Sequence, residues 1–321
     1  MPKVAITGAG YAARYYIRAL NELGYPIVGI TNRTKERGLQ LSKEANIPFY
    51  DSCEQMMEES GAEMIIMATA TCNHLGEVQA AVKGGARWIF CEKPVGTDLA
   101  ETRKIRDICE EYKAVIGIGY KMRYESIFKQ AKEMVDKGHI GKLASITLNF
   151  FQPIPHSSWY LDNGVILETL AHPIDLSNWF SKSVPKEVLC SVDNHLGGLK
   201  EDRASIVIKY DSGITSNING GWIADYPHFP GRHNICFQLV GTGGYICGVR
   251  PNKLILCDEQ GSHVIPMDVV DPIKLELQDF AACITNGSTP SIGIDDAILA
   301  QIVIDSALRS ASSGGTVARP S

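Results

Sequence analysis

A turn of small residues and a lysine held between an acid and a proline are the stretches of this sequence best suited to chemistry. The turn reads Thr7-Gly8-Ala9-Gly10-Tyr11-Ala12-Ala13, placed after an apolar run and before an amphipathic stretch. In a strand-to-helix turn of this Gly-x-Gly-x-x-Ala spacing, the first glycine permits the tight bend. The second lets a pyrophosphate approach the backbone, and the small last residue lets the helix pack on the sheet. The helix N-terminus then offers unpaired N–H groups and a partial positive charge to phosphates. Gly8, Gly10, Tyr11, Ala12 and Ala13 are therefore expected to bind a dinucleotide. The lysine lies in Cys91-Glu92-Lys93-Pro94, at the end of a later apolar run. Ligands of open α/β sheets sit beyond the carboxyl ends of the strands, so Lys93 is expected at the nicotinamide end of the cleft.

Cofactor choice is read from the end of the second run, Ile30-Thr31-Asn32-Arg33-Thr34-Lys35. A site selective for NAD usually places Asp or Glu here, to accept hydrogen bonds from the ribose 2′-hydroxyl. That acid is missing, and Asn32, Arg33 and Thr34 stand in its place. A guanidinium attracts a 2′-phosphate, which a carboxylate would repel. The expected cofactor is NADP(H), with NAD(H) possible. The alternative is that Arg33 and Lys35 form a solvated face of the next helix.

These residues need elements to hold them. Apolar runs at 3–7, 26–31, 64–69, 87–91 and 114–119 alternate with amphipathic stretches at 11–23, 34–45, 53–60, 73–84 and 98–112. Runs this short, with little polar alternation, suit strands buried on both faces, and their alternation with helices implies a parallel sheet. Gly24, Gly38, Gly61 and Gly84-Gly85 sit where helices should stop. After Tyr120 the rhythm changes. A helix is expected at 123–137, a strand at 145–151 and a short helix near 172–181. Strands joined by connections too short for helical crossovers follow, with a turn at 210–213, and helices at 273–286 and 295–311. The expected architecture is α/β: a Rossmann domain at 1–120, then an α/β domain at 121–321 on an open, largely antiparallel sheet.

Composition agrees with this reading. The 321 residues are 45% hydrophobic and 21% charged, the profile of a globular protein long enough for two cores. A net charge of −5 with no basic patch argues against a nucleic-acid partner. No apolar stretch is long enough to span a membrane, and the opening MPKVAITGAG lacks the apolar core of a signal peptide, so neither a span nor a signal peptide is expected. Nine scattered cysteines, with no CxxC or Cys/His spacing, point to a reducing, cytoplasmic setting without a metal site.

The sequence resembles the Gfo/Idh/MocA family of sugar and cyclitol dehydrogenases. The resemblance rests on the glycine turn, on Glu92-Lys93-Pro94 and on Gly164-Val165-Ile166-Leu167-Glu168-Thr169-Leu170-Ala171-His172-Pro173-Ile174-Asp175. Ala70-Thr71-Cys72-Asn73-His74 and Gly119-Tyr120-Lys121-Met122-Arg123 add to it. It implies that Lys93 touches both the substrate hydroxyl and the nicotinamide ribose, that His172 is the general base and acid, and that Glu168 is the acid four residues before it. It also implies that Arg123 lies near the substrate and that Thr69, His74 and Glu92 belong to the cofactor side. Histidine can take a hydroxyl proton near neutral pH while an ammonium stabilises the developing alkoxide. The lysine and the histidine are thus expected to converge beside the nicotinamide. A homodimer or homotetramer, formed on the sheet's free face, is the family expectation.

This sequence departs from the family pattern at two places: Glu168 replaces the usual Asp, and Leu170 the usual Gly. Taken alone, His172 ahead of Pro173 is either a helix cap or a satisfied interior residue, and Asp175 reads as structural. Trp159 and Tyr160, in the Pro-stiffened segment with His156, either cover the face of a sugar or form an aromatic cluster. The stretch 222–232, with Trp222, Tyr226, His228 and Phe229, is a lid or an oligomer contact. Lys121 is either a cation for an anionic substrate or a solvated side chain. Two rivals stand beside a sugar or polyol dehydrogenase: a glycoside hydrolase of the same family that keeps its NAD, and a non-catalytic sensor that binds dinucleotide and turns nothing over.

Overall fold

The computed structural model describes residues 1–154, 158–223 and 234–320. Contacts divide the chain into two compact units, Met1–Lys121 with Asp271–Ile298, and Met122–Val270 with Leu299–Ser321.

In the first unit, β1 (Val4–Thr7), α1 (Tyr11–Glu22), β2 (Ile27–Thr31), α2 (Lys35–Ala45), β3 (Phe49–Tyr50), α3 (Cys53–Ser60) and β4 (Met64–Met67) follow one another. After them come α4 (His74–Lys83), β5 (Trp88–Glu92), α5 (Leu99–Glu111) and β6 (Val115–Gly119). All strand pairs are parallel, in the order β3-β2-β1-β4-β5-β6. Every residue of β1 and β4 is buried, as uninterrupted apolar runs covered on both faces require. The order reverses between β1 and β4, so their carboxyl ends open the crevice where such sheets take ligands. Gly61 and Gly84 cap α3 and α4. Gly38, expected to stop a helix, instead lies inside α2, which ends at the left-handed Asn46. A Cβ at position 38 would come within 2.3 Å of the Phe49 ring, so this glycine serves close packing.

The second unit opens with α6 (Ser126–Asp136) and β7 (Leu143–Pro153), then α7 (Ser158–Asn163), α8 (Val165–Glu168) and α9 (Ala171–Ser181). Seven strands follow: β8 (Pro185–Asp193), β9 (Arg203–Tyr210), β10 (Thr215–Ile223), β11 (Asn234–Gly241), β12 (Gly244–Val249), β13 (Lys253–Asp258) and β14 (Gly261–Ile265). They form an eight-stranded sheet with β7, in the order β14-β13-β12-β11-β7-β10-β9-β8. It is antiparallel except for the central β7–β10 pair, so it is mixed and mostly antiparallel. The 210–213 turn joins β9 to β10 with Gly213 in the left-handed region. Buried residues alternate with exposed ones along β9, the pattern of a sheet with one covered face.

Two helices end the chain, α10 (Pro272–Asn286) and α11 (Ile294–Ser312). The sequence reading places 271–298 in the second domain, but by its contacts this segment packs in the first unit. Ile273, Leu277 and Phe280 of α10 enter one core with Val4, Ile6, Ala13, Tyr16 and Phe90. Asp271 caps the helix, accepting from the backbone N–H groups of Ile273 and Lys274. Beyond α10, Ile118 N–H donates to the Ile292 carbonyl and Gly293 bridges Gly117 on β6. Among the described residues no helix is long and apolar enough to cross a membrane, and the nine cysteines are unpaired.

Candidate functional site

The glycine turn joins β1 to α1 as its spacing requires. Gly8 has φ +101°, a conformation that side chains rarely adopt, and a Cβ there would lie 2.4 Å from the Ala68 carbonyl oxygen. Over Gly10 the situation is reversed: no atom lies within 4 Å of where a Cβ would project. Gly10 is also the N-cap of α1 and supplies no side chain to its first N–H groups. Ala13 is fully buried in the core. An open backbone approach and an uncapped helix N-terminus are what a bound pyrophosphate needs, so the residues present fit a dinucleotide. Tyr11 is exposed, its hydroxyl 2.5 Å from that of Tyr15.

At the end of β2, Asn32 braces the turn. Its Oδ1 accepts from the Ala9 N–H at 3.0 Å, and its Nδ2 donates to the Thr34 carbonyl at 2.8 Å. Lys35 is ion-paired with Asp51. Arg33 and Thr34 are exposed, and the Arg33 guanidinium has no ion pair or side-chain hydrogen bond among the described residues.

Beyond β4, the Thr7 and Thr69 hydroxyls both donate to Glu77 Oε2, at 2.8 and 2.9 Å. Burial pushes the Glu77 carboxyl up to about 7, against these two hydrogen bonds, which hold it down. His74 begins α4 and is fully buried, which pushes its imidazole below the ordinary value against the backbone hydrogen bonds that hold it up. Its Nδ1 lies 3.1 Å from the Val95 carbonyl. A donating Nδ1–H there leaves Nε2 an acceptor, and Nε2 has no partner among the described residues. Lys93 follows β5 and is half-buried, and its backbone N–H donates to Glu92 Oε2 at 3.1 Å. Glu92 Oε1 accepts from the Tyr16 hydroxyl, which also meets Glu276 of α10.

In the second unit the histidine motif forms α8 and the start of α9. Of the eleven residues of α9, only His172 and Trp179 are not fully buried, so the His172 imidazole is half-buried at the first turn of the helix. Its ring stacks at 6.5 Å on Phe150 of β7. Glu168 is buried and accepts from Asn163 Nδ2 at 2.7 Å. Leu170 is buried against Gly220 of β10, where an added Cβ would lie 2.4 Å from its Cδ2. A glycine on the strand thus makes room for the leucine on the helix.

Arg123 is buried and forks onto Asp175, Nε to Oδ2 at 2.9 Å and Nη2 to Oδ1 at 2.5 Å, with its guanidinium over the Trp179 ring. Asp175 is likewise buried at this ion pair. Tyr210 fastens the same helix to β9 through Ser177 and Asn178. Trp222 is buried, and its Nε1 donates to Thr169 Oγ1 at 2.9 Å. His156, the Trp159 side chain and residues 224–232 lie outside the described residues. Tyr160 is half-buried on α7. Within the first unit the structure gathers Gly8, Gly10, Asn32, Thr69, His74, Glu92 and Lys93 at the carboxyl ends of its strands. The second unit holds Glu168, His172, Arg123 and Tyr160. Glu77, Tyr16 and Glu276 were not singled out from the sequence, since an acid or tyrosine on a helix has no periodic signal that separates it from a solvated one.

Comparison with known proteins identifies what the chain is similar to. A family profile described as "Oxidoreductase family, NAD-binding Rossmann fold" matches residues 2–120, and one described as "GFO/IDH/MocA C-terminal domain" matches residues 128–247. The chain is 24% identical over 326 residues to scyllo-inositol 2-dehydrogenase (NAD(+)) of Bacillus subtilis, covering 92% of this chain and 90% of that one. It is 21% identical over 317 residues to D-xylose 1-dehydrogenase (NADP(+)) 2 of Haloferax volcanii, covering 96% and 97%. Among solved structures, an oxidoreductase from Agrobacterium radiobacter in complex with NAD+, L-tartaric acid and magnesium superposes with a TM-score of 0.91 at 18% identity, over 99% of this chain and 98% of that one.

Proposed function

The chain belongs to the GFO/IDH/MocA oxidoreductase family, and from that premise we propose that it is an NAD(P)-dependent dehydrogenase or reductase of a secondary alcohol or ketone on a sugar, sugar derivative or cyclitol. The observation that carries the reading is the glycine turn, with no room for a side chain at Gly8 and nothing over Gly10. The nicotinamide supplies the hydride acceptor or donor when bound. Gly8, Gly10, Tyr11, Ala12 and Ala13 hold the pyrophosphate, while Thr69, His74 and Glu92 line the nicotinamide side. The Lys93 ammonium stabilises charge developing on the substrate oxygen, and the His172 imidazole takes or returns the hydroxyl proton. Glu168 supports His172, Tyr160 lies against the substrate, and Arg123 holds α9 through Asp175. Residues 1–120 form the cofactor domain in this reading and 121–321 the substrate domain, with 271–298 lent to the first, and the active form is a homodimer or homotetramer.

NADP(H) is the preferred cofactor. Asn32 is engaged by the turn and Lys35 by Asp51, which leaves Arg33 as the cation available to a 2′-phosphate. A panel of sugars, inositols and keto-sugars, read by nicotinamide absorbance with each cofactor, tests the reaction. Lys93→Ala and His172→Ala are each expected to lower kcat by about 10²–10⁴-fold with dinucleotide Kd nearly unchanged. Turnover close to wild type in either variant would reject the assignment.

A further inference from the structure

Tyr16 of α1 is fully buried, and its hydroxyl lies 2.7 Å from Glu92 Oε1 and 3.1 Å from Glu276 Oε1. A phenol carries one proton and can donate it to only one of the two acids. The second contact is a hydrogen bond only if the other acid is itself the donor. The two acids differ in their surroundings. Glu92 is half-buried and uses both oxygens as acceptors, Oε1 toward the Tyr16 hydroxyl and Oε2 toward the Lys93 N–H. Glu276 is 1% exposed, has the Tyr16 hydroxyl as its hydrogen-bond partner, and holds Oε2 without one among the described residues.

We propose that Glu276 carries a proton in the working protein, and that Glu276 donates to Tyr16, Tyr16 to Glu92, while Glu92 also accepts the Lys93 N–H. This one-directional chain makes Glu276 a positioning residue for the Glu92-Lys93 backbone at the end of β5. It rests on the dehydrogenase reading only in the importance that reading gives Lys93. The charged groups near Glu276 fit the assignment. Glu92 and Asp271 favour its proton and Lys121 opposes it, while Asp271 is itself engaged by Arg18. Burial is the largest influence, and with the two acids it outweighs Lys121 and the Tyr16 hydrogen bond, which hold the carboxyl down, and pushes it well above its ordinary range.

Two measurements on the ligand-free full chain test the proposal. The first is infrared difference spectroscopy between wild type and Glu276→Gln, at a pH well above the value of about 7 for Glu77. A protonated-carboxyl carbonyl band, shifted in D2O and lost in the variant, is expected, and its absence overturns the proposal. The second is amide hydrogen exchange at Lys93. Glu276→Leu and Tyr16→Phe are expected to speed it about tenfold, the effect of losing one hydrogen bond, while Glu276→Gln, which can still donate, stays within about twofold. Unchanged exchange in both Glu276→Leu and Tyr16→Phe, or equal acceleration in Glu276→Gln, overturns the positioning role. Neither measurement uses turnover, so a wild type inactive on every sugar would sink the dehydrogenase reading while these two results still decide the chain.

Discussion

Glu77 ties two strand ends together, and its protonation is expected to be visible in stability. Its carboxyl titrates near 7 in the folded protein, against an ordinary value of about 4.3 in the unfolded chain. Between those values the folded state binds more protons, so the stability that Glu77 contributes is complete below the unfolded value and is lost as pH rises through the folded one. Urea titrations of wild type and Glu77→Gln should therefore diverge with rising pH, by roughly 3–4 kcal/mol, the wild type losing ground. A flat difference would mean that folding leaves the carboxyl's titration unshifted. Arg33 gives a second test. Arg33→Ala should weaken NADPH by about tenfold, as one charge-assisted contact is lost, and leave NADH little changed, read by fluorescence titration. At this scale the glycine turn was legible, because a ligand imposes itself there on the backbone. The junction of Tyr16 with Glu276 was not, because partners separated by 260 residues leave no local trace.

Strands buried on both faces read clearly as apolar runs, and β1, β2, β4, β5 and β6 lie where those runs are. Two-residue β3 and the exposed edge strand β14 escape such reading, since neither has a buried face long enough to show a period. The four residues of α8 are all apolar except Glu168 and all buried, a pattern that fits a strand as well as a helix. How α8 and α9 seat on the sheet is a matter of shape. Leu170 occupies the space above Gly220, so Leu170→Ala should destabilise the protein by about 2–5 kcal/mol, checked by denaturant titration. A loss well under 1 kcal/mol would mean that the helix settles onto the strand without it. The departure from the family's glycine at this position is thus matched by a glycine across from it.

The change of rhythm after Tyr120, close to where the two compact units first divide, was legible. The return of 271–298 was not, because an amphipathic helix carries no mark of which core it enters. That return has a consequence for the whole chain. A fragment of residues 1–121 lacks Ile273, Leu277 and Phe280 and leaves Tyr16 and Phe90 without their neighbours. It should show weak, non-cooperative unfolding and bind hydrophobic dyes, whereas the same fragment joined through a flexible linker to 271–298 should unfold in one cooperative step by circular dichroism. Phe280→Ala in the full chain should cost about 3–5 kcal/mol. Cooperative unfolding of 1–121 alone would show that α10 is dispensable to this core.

The contacts that 292–293 make with β6 also guard a border. β6 is the last strand of its sheet, and a bare margin of amides and carbonyls is a template on which a foreign chain can add itself. Ile292 and Gly293 occupy part of that margin with the protein's own backbone. A chain that loses this segment, by proteolysis or by premature termination, is exposed to edge-to-edge polymerisation as well as to unfolding.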